Sequence, residues 1–267
     1  MPATETLAPT LEDDLQLIAE AAREAGRIAH GFFRRDPQVW FKAGQSPVSE
    51  ADYAADKFLR ETLLAARPDY GWLSEETADT PDRLSMSRCF VVDPVDGTRA
   101  FVEGRETWCV SVAVVERGRP LAGVLECPAL RETFTATLGG GAFLDGKTIS
   151  VRALPAKPEV AGAKAFVDAL APPWNAAHRA AHIPSLAYRI ALIAKGHLDA
   201  TLVKPNAHDW DLAAADLILR EAGGAVLDAT GEAPLYATTA SPAHGVLVAG
   251  SGALLEAAVS AAKRVVP

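Results

Sequence analysis

The chain has 267 residues, of which 49% are hydrophobic and 22% are charged, with a formal net charge of −8. This composition is typical of a globular protein with one substantial core or two joined ones. No apolar run reaches the roughly 18 residues of a membrane helix, and the N-terminal residues lack the basic-then-apolar order of a signal peptide. The acidic charge disfavours a nucleic acid polymer, which binds clustered lysine and arginine. We therefore expect a soluble, cytoplasmic protein with neither nucleic acid nor a membrane as partner.

The first half of the chain predicts two helices and then a sheet. Apolar residues at three- and four-residue spacing predict a helix from Thr10 to about Phe33, and a Ser-Pro turn begins a second from Pro47 to about Ala66. A short apolar strand, Cys89 to Val92, is followed by strands at 108–115 and 121–126 with a hairpin between them. The three cysteines, at 89, 109 and 127, lie in such apolar runs without Cys-x-x-Cys spacing, and we expect them to be core residues.

The second half begins with an Ala- and Pro-rich stretch, 153–184, which we interpret as a loose domain junction. Beyond it we predict a helix at 185–194, a strand at 198–203 and a helix at 212–222 that stops at a Gly-Gly pair. Strands and helices without regular alternation predict a layered α+β fold. We divide it into an N-terminal α+β region, 1–152, and a C-terminal α/β region, 153–267.

Two carboxylates stand three residues apart where the Cys89–Val92 strand ends, in Asp93-Pro94-Val95-Asp96-Gly97-Thr98. Such close carboxylates repel one another, and a divalent cation is the usual remedy. A helix that starts after Gly97 would direct free N–H groups at the same place, where a phosphate could bind. Hard oxygen ligands suit Mg²⁺, which shares its coordination with substrate phosphate.

Other acidic residues are ambiguous by themselves. Glu75 and Glu76 follow the apolar Trp72-Leu73, Asp211 starts an apolar helix, and Asp52 lies on the second predicted helix. In isolation a solvated charge pair, a helix cap and an exposed helix residue are the ordinary readings of these positions.

Taken together, these segments resemble the inositol monophosphatase superfamily. The resemblance rests on Ser46-Pro47-Val48-Ser49-Glu50-Ala51-Asp52, Ser74-Glu75-Glu76, Val92-Asp93-Pro94-Val95-Asp96-Gly97-Thr98 with Phe101, and Trp210-Asp211-Leu212-Ala213-Ala214-Ala215 running to Glu221-Ala222-Gly223-Gly224. The four motifs occur in the family's order with similar spacing, and they span nearly the whole chain. The resemblance implies an α-β-α-β-α sugar-phosphatase-like fold.

The resemblance also implies site residues. The first Mg²⁺ would be bound by Glu75, Asp93 and the carbonyl of Val95, the second by Asp93, Asp96 and Asp211, and a weaker third ion would share Glu75. Asp52 and Thr98 would orient and deprotonate the attacking water. The amides of Gly97 and Thr98 would hold the phosphate, and Ser185 would contact the alcohol portion of the substrate.

The activity implied is hydrolysis of a small phosphorylated metabolite by a Mg²⁺-dependent phosphomonoesterase with two or three ions, by direct attack of water. The family further implies a homodimer and inhibition by lithium. Glu75 is counted with the catalytic residues as well as with the metal ligands.

The substrate stays open because two positions depart from the family pattern. Arg99 follows the Gly-Thr pair, and Lys204 stands where the family uses an acidic residue to bind inositol hydroxyls. A lysine there could attract a second phosphate, as in a 3′(2′),5′-bisphosphate nucleotide, or could simply extend into solvent. The run Gly-Thr-Arg-Ala-Phe is also similar to some histidinol-phosphate phosphatases.

Two readings from other classes remain. Haloacid-dehalogenase-type phosphatases also place Asp, Gly and Thr after a strand, but their Asp-x-Asp motif differs from the Asp93-x-x-Asp96 spacing here. A regulatory protein built on a phosphatase scaffold is the non-enzymatic alternative. The complete acidic set favours the enzyme.

Overall fold

The structure is a computed structural model that describes residues 9–42, 46–239 and 243–265. Its α-helices are Leu11–His30 (α1), Glu50–Ala66 (α2), Thr98–Val102 (α3), Lys164–Asp168 (α4), Leu186–Ala194 (α5), Asp209–Glu221 (α6) and Gly252–Val265 (α7). Short 3₁₀ helices occur at Pro81–Ser85 and Trp174–Ala176. None of the helices in the described ranges is both long and apolar enough to cross a membrane.

The strands form two sheets and one small hairpin. They are Val39–Phe41 (β1), Pro47–Ser49 (β2), Gly71–Ser74 (β3), Arg88–Asp96 (β4), Cys109–Glu116 (β5), Arg119–Cys127 (β6), Glu132–Thr137 (β7), Gly141–Leu144 (β8), Lys147–Thr148 (β9), Glu159–Ala161 (β10), His178–Arg179 (β11), Ala200–Val203 (β12), Ala225–Asp228 (β13) and Leu247–Gly250 (β14). The larger sheet runs from β3 to β9 in chain order, and the smaller has the order β11-β10-β12-β14-β13. Within the described ranges, strands β1 and β2 pair only with each other.

The elements stack in five layers. Apolar residues of α1 and α2 pack on one face of the larger sheet. Helices α5 and α6 fill the space between the two sheets. Helices α4 and α7 cover the far face of the smaller sheet. The expected layered α-β-α-β-α fold is therefore confirmed, and the three cysteines are buried as predicted.

The predicted elements are present, with differences at their ends. The first helix ends at His30, three residues earlier than expected. The second begins at Glu50, because Pro47 to Ser49 pair with β1 as a strand and Ser49 then caps the helix. Strand β4 continues to Asp96, past the point where we expected it to end, so that both Asp93 and Asp96 lie within it.

The stretch 153–184 is more ordered than a loose junction. It supplies α4 and two strands of the smaller sheet, in which β10 pairs in parallel with β12 and β11 pairs in parallel with β10. Short two- and three-residue strands leave little periodicity in a sequence, which explains why they were missed. The strands of the larger sheet come from residues 71–148 and those of the smaller from 159–250. A domain boundary near residue 152 stays a prediction.

Candidate active site

Three aspartates converge at the ends of different elements. Asp93 and Asp96 belong to β4, and Asp211 lies in the first turn of α6. One carboxylate oxygen from each can be chosen so that all lie within 4.8 Å of one another. Asp93 and Asp96 are almost fully buried, and Asp211 is partly buried. Residues more than one hundred positions apart in the chain thus present oxygens to one small volume.

An irregularity in β4 allows its two aspartates to point to the same place. Residues three apart in a regular strand face opposite sides of the sheet. The pairing of β4 with β5 shifts register between Asp93 and Asp96, and Oδ1 of Asp93 accepts a hydrogen bond of 2.9 Å from the Val95 amide. Bulges of this kind re-aim side chains next to functional sites.

Asp96 is held by the start of α5. Its Oδ2 accepts hydrogen bonds from the Ser185 hydroxyl and from the Ala187 amide, at 2.8 Å for the latter, and the Leu186 amide donates to Oδ1 at 3.2 Å. Burial raises the pKa of Asp96 to about 6, although these hydrogen bonds oppose the rise. The N-terminus of α5 therefore orients one carboxylate of the cluster.

Ser185 is the residue that precedes α5 and contacts Asp96. It is fully buried, its hydroxyl donates to Asp96, and the same oxygen accepts from the Tyr188 amide at 3.0 Å. It does not line the cavities next to the aspartates. Its hydroxyl therefore caps α5 and fixes Asp96, and contact of Ser185 with the alcohol portion of a substrate stays a prediction.

Burial and neighbouring carboxylates disfavour the ionised forms of the other two aspartates of the cluster. Burial raises the pKa of Asp93 well above its usual range, and Glu75 and Asp96 raise it further. Burial and then Asp96 raise the pKa of Asp211, although its Oδ2 accepts a 2.6 Å hydrogen bond from the His208 amide. Asp211 thus also caps α6, so the helix-cap reading and the cluster reading both describe it.

Asp52 and Thr98 meet beside this cluster. The Thr98 hydroxyl lies 3.0 Å from Oδ1 of Asp52 and 3.0 Å from the Val95 carbonyl oxygen. Oδ2 of Asp52 accepts from the amide of Ser49 at 2.8 Å and from its hydroxyl at 2.6 Å. Burial raises the pKa of Asp52 to about 6, and the Ser49 hydrogen bonds limit the rise. Ser49 was missed, although Ser-x-x-Asp is a capping-box signature.

Glu75 follows β3 and is held by a lysine. Nζ of Lys42 donates to Oε1 of Glu75 at 3.0 Å and to Oε1 of Glu76 at 2.6 Å. Burial lowers the pKa of Lys42, but Glu75 and Glu76 outweigh it, so the net pKa is raised. Lys42 stands in the hairpin that precedes α2, and no sequence signal linked it to an acidic pair 33 residues away.

A cavity of about 270 Å³ joins these groups. Its lining residues are Ser46, Pro47, Glu75, Asp93, Asp96, Gly97, Thr98, Arg99, His182, Pro184 and Asp211. Gly97 has φ of +92°, and a Cβ there would come within 2.9 Å of the Ser185 Cβ. Because both its backbone and its surroundings exclude a side chain, the backbone lies open at this wall of the cavity.

A larger cavity of about 740 Å³ adjoins the first, and both are lined by Asp96, His182, Pro184 and Asp211. Lys204, exposed just after β12, lines this larger cavity, as do Arg179 and Arg189. Of the predicted site residues, only Ser185, Asp52 and the buried Val95 lie outside both linings. Sequence reasoning missed Arg179 and His182 because they lie in the stretch 153–184, where we predicted no elements. It missed Arg189 because this residue is partly buried on the helix predicted at 185–194.

The donor set fits a hard divalent cation. The three-aspartate group offers only carboxylate oxygens, with no histidine or cysteine, and this chemistry favours magnesium, calcium or manganese over zinc. Burial and then repulsion between neighbouring carboxylates raise the pKa of Asp93 and Asp211. A bound cation would offset this repulsion.

Comparison with known proteins identifies the family of this chain. A profile described as "Inositol monophosphatase family" matches residues 11–266. The chain belongs to the inositol monophosphatase family. It is therefore a phosphatase, a hydrolase that acts on phosphoric monoesters.

Individual members of the inositol monophosphatase family differ in their named activities. A histidinol-phosphatase of Chlorobaculum parvum is 34% identical over 82% of this chain and 86% of its own length. An inositol-1-monophosphatase of Mesorhizobium japonicum is 30% identical over 94% and 96%. A solved inositol monophosphatase structure from Thermotoga maritima aligns with a TM-score of 0.82 at 27% identity, over 95% of this chain and 98% of that one. Similarity alone does not choose among substrates.

Proposed function

We propose that the protein is a Mg²⁺-dependent phosphomonoesterase that hydrolyses a small phosphorylated metabolite by direct attack of water. The observation that carries the proposal is the meeting of three aspartate oxygens within 4.8 Å beside the Asp52–Thr98 pair. Acidic residues from β4, α6 and the end of β3 line one cavity with the backbone of Gly97 and Thr98.

We assign the ions as the family resemblance implies. Glu75, Asp93 and the Val95 carbonyl would hold one Mg²⁺, and Asp93, Asp96 and Asp211 a second; a third would share Glu75. Bound Mg²⁺ lowers the pKa of a coordinated water and neutralises charge on the phosphoryl oxygens. Lys42 now donates to Glu75, and we expect it to release that carboxylate when an ion binds.

The chain's own residues position the water and the phosphate. Oδ1 of Asp52 is 3.0 Å from the Thr98 hydroxyl, so a water accepting from or donating to Thr98 would be oriented by the pair. The pKa of Asp52, raised by burial to about 6, leaves it ionised at neutral pH and able to accept a proton. The first-turn amides of a helix have no acceptor within it, and those of Gly97 and Thr98 would bind phosphate oxygens.

Several finer expectations remain proposals. Inositol monophosphate, a 3′(2′),5′-bisphosphate nucleotide and histidinol phosphate are the candidate substrates. A cytoplasmic homodimer is supported by the composition and the family resemblance, and sedimentation equilibrium tests the dimer. Inhibition by millimolar lithium and by excess Mg²⁺ or Ca²⁺ is expected, and activity titrations that respond to none of the three would count against the shared-ligand arrangement.

The decisive test is Asp96→Asn, with Asp69→Asn as a control at an exposed aspartate outside both cavities. Removing one cluster carboxylate should reduce Mg²⁺-dependent phosphate release by on the order of 10² or more. The ion loses a ligand, and the charge on the phosphate is then no longer neutralised by a tightly bound metal. Circular dichroism should show the same fold. Undiminished turnover in Asp96→Asn would refute the assignment of the metal site.

A second experiment separates this mechanism from the haloacid-dehalogenase type. Single-turnover reactions are quenched in acid, and the protein is then analysed by mass spectrometry for a phosphoryl group on aspartate. Direct attack of water leaves the chain unmodified throughout the reaction. A phosphoryl group trapped on Asp93 would show a covalent aspartyl-phosphate and overturn the proposal.

A further inference from the structure

The larger cavity has a group of basic side chains in its lining, which we call its cationic wall. Arg179, His182, Arg189 and Lys204 line it. Its acidic lining residues are Asp96 and Asp211, which we assign to the ions. Within the described ranges, none of the three Arg and Lys side chains is within ion-pair distance of a carboxylate. This part of the cleft therefore carries net positive charge that the protein itself does not neutralise.

Arg189 is the sharpest of these observations. Its Nε is buried and has no hydrogen-bond partner among the described residues, and its Nη1 makes only a long 3.5 Å contact with the Ile183 carbonyl. Burial lowers the pKa of Arg189, and nearby Asp96 only partly compensates. An enclosed guanidinium with an unsatisfied N–H costs free energy unless a ligand supplies the missing acceptor.

The field at His182 shows that the cations act together. Burial lowers its pKa, and then the charges of Arg189, Arg105, Lys204 and Arg99 lower it further. Four cationic side chains are thus close enough to disfavour a positive charge at the point where the two cavities join. A protonated amine in this region would meet the same repulsion.

We propose that the alcohol portion of the substrate carries a second anionic group, a phosphate or a carboxylate, and that Arg189, Lys204 and Arg179 bind it. This inference rests on the proposed phosphatase function and narrows its substrate class. An anionic group satisfies Arg189 with charge-assisted hydrogen bonds, which a neutral polyol does more weakly. A cationic amine such as that of histidinol phosphate is selected against, even though a histidinol-phosphatase is among the chain's relatives.

The position of the wall suits this assignment. The scissile phosphate would occupy the 270 Å³ cavity, and the remainder of the substrate would extend past His182 and Pro184 into the 740 Å³ cavity. That volume is ample for a nucleoside or a short phosphorylated acid. The two anionic groups are then bound by different means, one by metal ions and amides and the other by side-chain cations.

The test compares substrates that differ only in the second anion. The pairs are adenosine 3′-phosphate with adenosine 3′,5′-bisphosphate, and glycerol 3-phosphate with 3-phosphoglycerate; histidinol phosphate is the cationic probe. We expect kcat/KM to be about ten-fold or more higher for the anionic member of at least one pair, the gain of one charged hydrogen bond. The nucleotide pair reports a second phosphate and the glycerol pair a carboxylate.

The variants Arg189→Met and Lys204→Met assign the effect to the wall. Each should reduce the ratio of kcat/KM between the anionic and neutral members toward one, mainly through KM, and Arg189→Lys should restore part of it. Lys147→Met, at an exposed lysine on β9 outside the cavities, should leave the ratio unchanged. Calorimetry gives a readout that is independent of turnover. It measures the binding of adenosine 5′-phosphate and of adenosine to the metal-free protein.

The outcomes separate this inference from the function it rests on. Metal-dependent release from the neutral members without preference for the anionic ones, or fastest release from histidinol phosphate, overturns the inference and leaves the phosphatase proposal standing. A preference that survives both Met variants overturns the assignment to this wall. No metal-dependent release from any probe overturns both proposals.

Discussion

The hydroxyl of Thr98 is a small group with a large structural role at the candidate site. It touches both the Asp52 carboxylate and the Val95 carbonyl oxygen, each at 3.0 Å, and thereby connects α2, β4 and the start of α3. Ser49 holds the other oxygen of Asp52. Contacts within the chain therefore orient the Asp52–Thr98 pair, and such positioning is a condition for efficient proton transfer.

Thr98→Val tests this hydroxyl while keeping the side-chain shape. We expect kcat to fall by about 10² or more, the usual contribution of a positioned proton-transfer group. Thr98→Ser is the matched control, because it keeps the hydroxyl, and it should retain activity within about one order of magnitude. Initial rates of phosphate release at saturating Mg²⁺ measure both. Full activity in Thr98→Val, with a loss confined to Thr98→Ser, would show that the methyl group and not the hydroxyl matters.

At the scale of elements, α1 is attached to the larger sheet by a buried charge. Asp14 is fully buried and accepts from Arg67 Nε at 2.9 Å, Arg88 Nη1 at 2.7 Å and the Tyr70 hydroxyl at 2.8 Å. These partners come from the end of α2, from β4 and from the loop between α2 and β3. One carboxylate thus joins three parts of the layer that backs the site.

Asp14→Asn should destabilise the protein by about 3 kcal/mol, because it leaves the partly buried Arg67 without an anion and removes one of the two carboxylates that pair with Arg88. Urea unfolding measures the change. The control is Glu24→Gln, which breaks an exposed helix pair with Arg27 and should leave the midpoint unaltered. A midpoint for Asp14→Asn as high as that of the control would show that the buried cluster contributes nothing net.

Strand β6 carries another buried acidic residue, Glu126, whose side chain lies against α1. Burial raises its pKa above the ordinary 4.5, and a 2.7 Å hydrogen bond from the Thr133 hydroxyl only partly opposes this. The folded protein therefore holds this proton more tightly than the unfolded chain does. As pH rises above 4.5, the unfolded chain releases its proton first, and the stability contributed by protonated Glu126 is lost.

The expected consequence is that Glu126→Gln, which stays neutral, gains stability relative to the unsubstituted protein as the pH is raised from about 4 to 7. Unfolding free energies of both proteins at several pH values measure the difference between them, and subtraction removes the contributions of the other titrating groups. A difference that is constant across this range would contradict the raised pKa of Glu126.

At the scale of the whole molecule, α6 is the element that packs against sheets from both halves of the chain. It lies between the sheets and carries Asp211 into the cluster with Asp93 and Asp96. A close approach makes this possible: a Cβ on Gly123 of β6 would lie 3.1 Å from the Ala214 Cα of α6. The distance between layers, and with it the position of Asp211, is set partly by a missing side chain.

Gly123→Ala should therefore cost about 1–3 kcal/mol by overpacking and should also lower phosphate release, because α6 must move away from β6. Gly245→Ala is the control, since a Cβ there meets no atom within 4 Å. Thermal unfolding and Mg²⁺-dependent turnover are measured on the same samples. Full activity and an unchanged midpoint in Gly123→Ala would show that the layers can separate without disturbing the site.

Local patterns predicted much of this molecule. The capping threonine and apolar spacing of α1, the strands around the β5–β6 hairpin and the helix that begins near Asp211 follow from short-range preferences. The metal ligands and the Asp52–Thr98 pair could be proposed because four motifs in the right order identify a family. Those parts of the site are encoded in contiguous residues, which is why a sequence alone could suggest them.

Other features depended on tertiary structure. The two strands in 153–184 form by pairing with each other and, through β10, with β12. Other side chains acquire their neighbours from distant segments, as do Lys42, Arg179, His182 and Arg189. Ser185 could be recognised as a helix start, but its hydrogen bond to Asp96 spans 89 positions. The sequence by itself determined the layered fold, the family and the set of acidic residues. Which cationic side chains line the larger cavity was decided only by packing, because a side chain's electrostatic environment is the sum of whatever the fold brings near it.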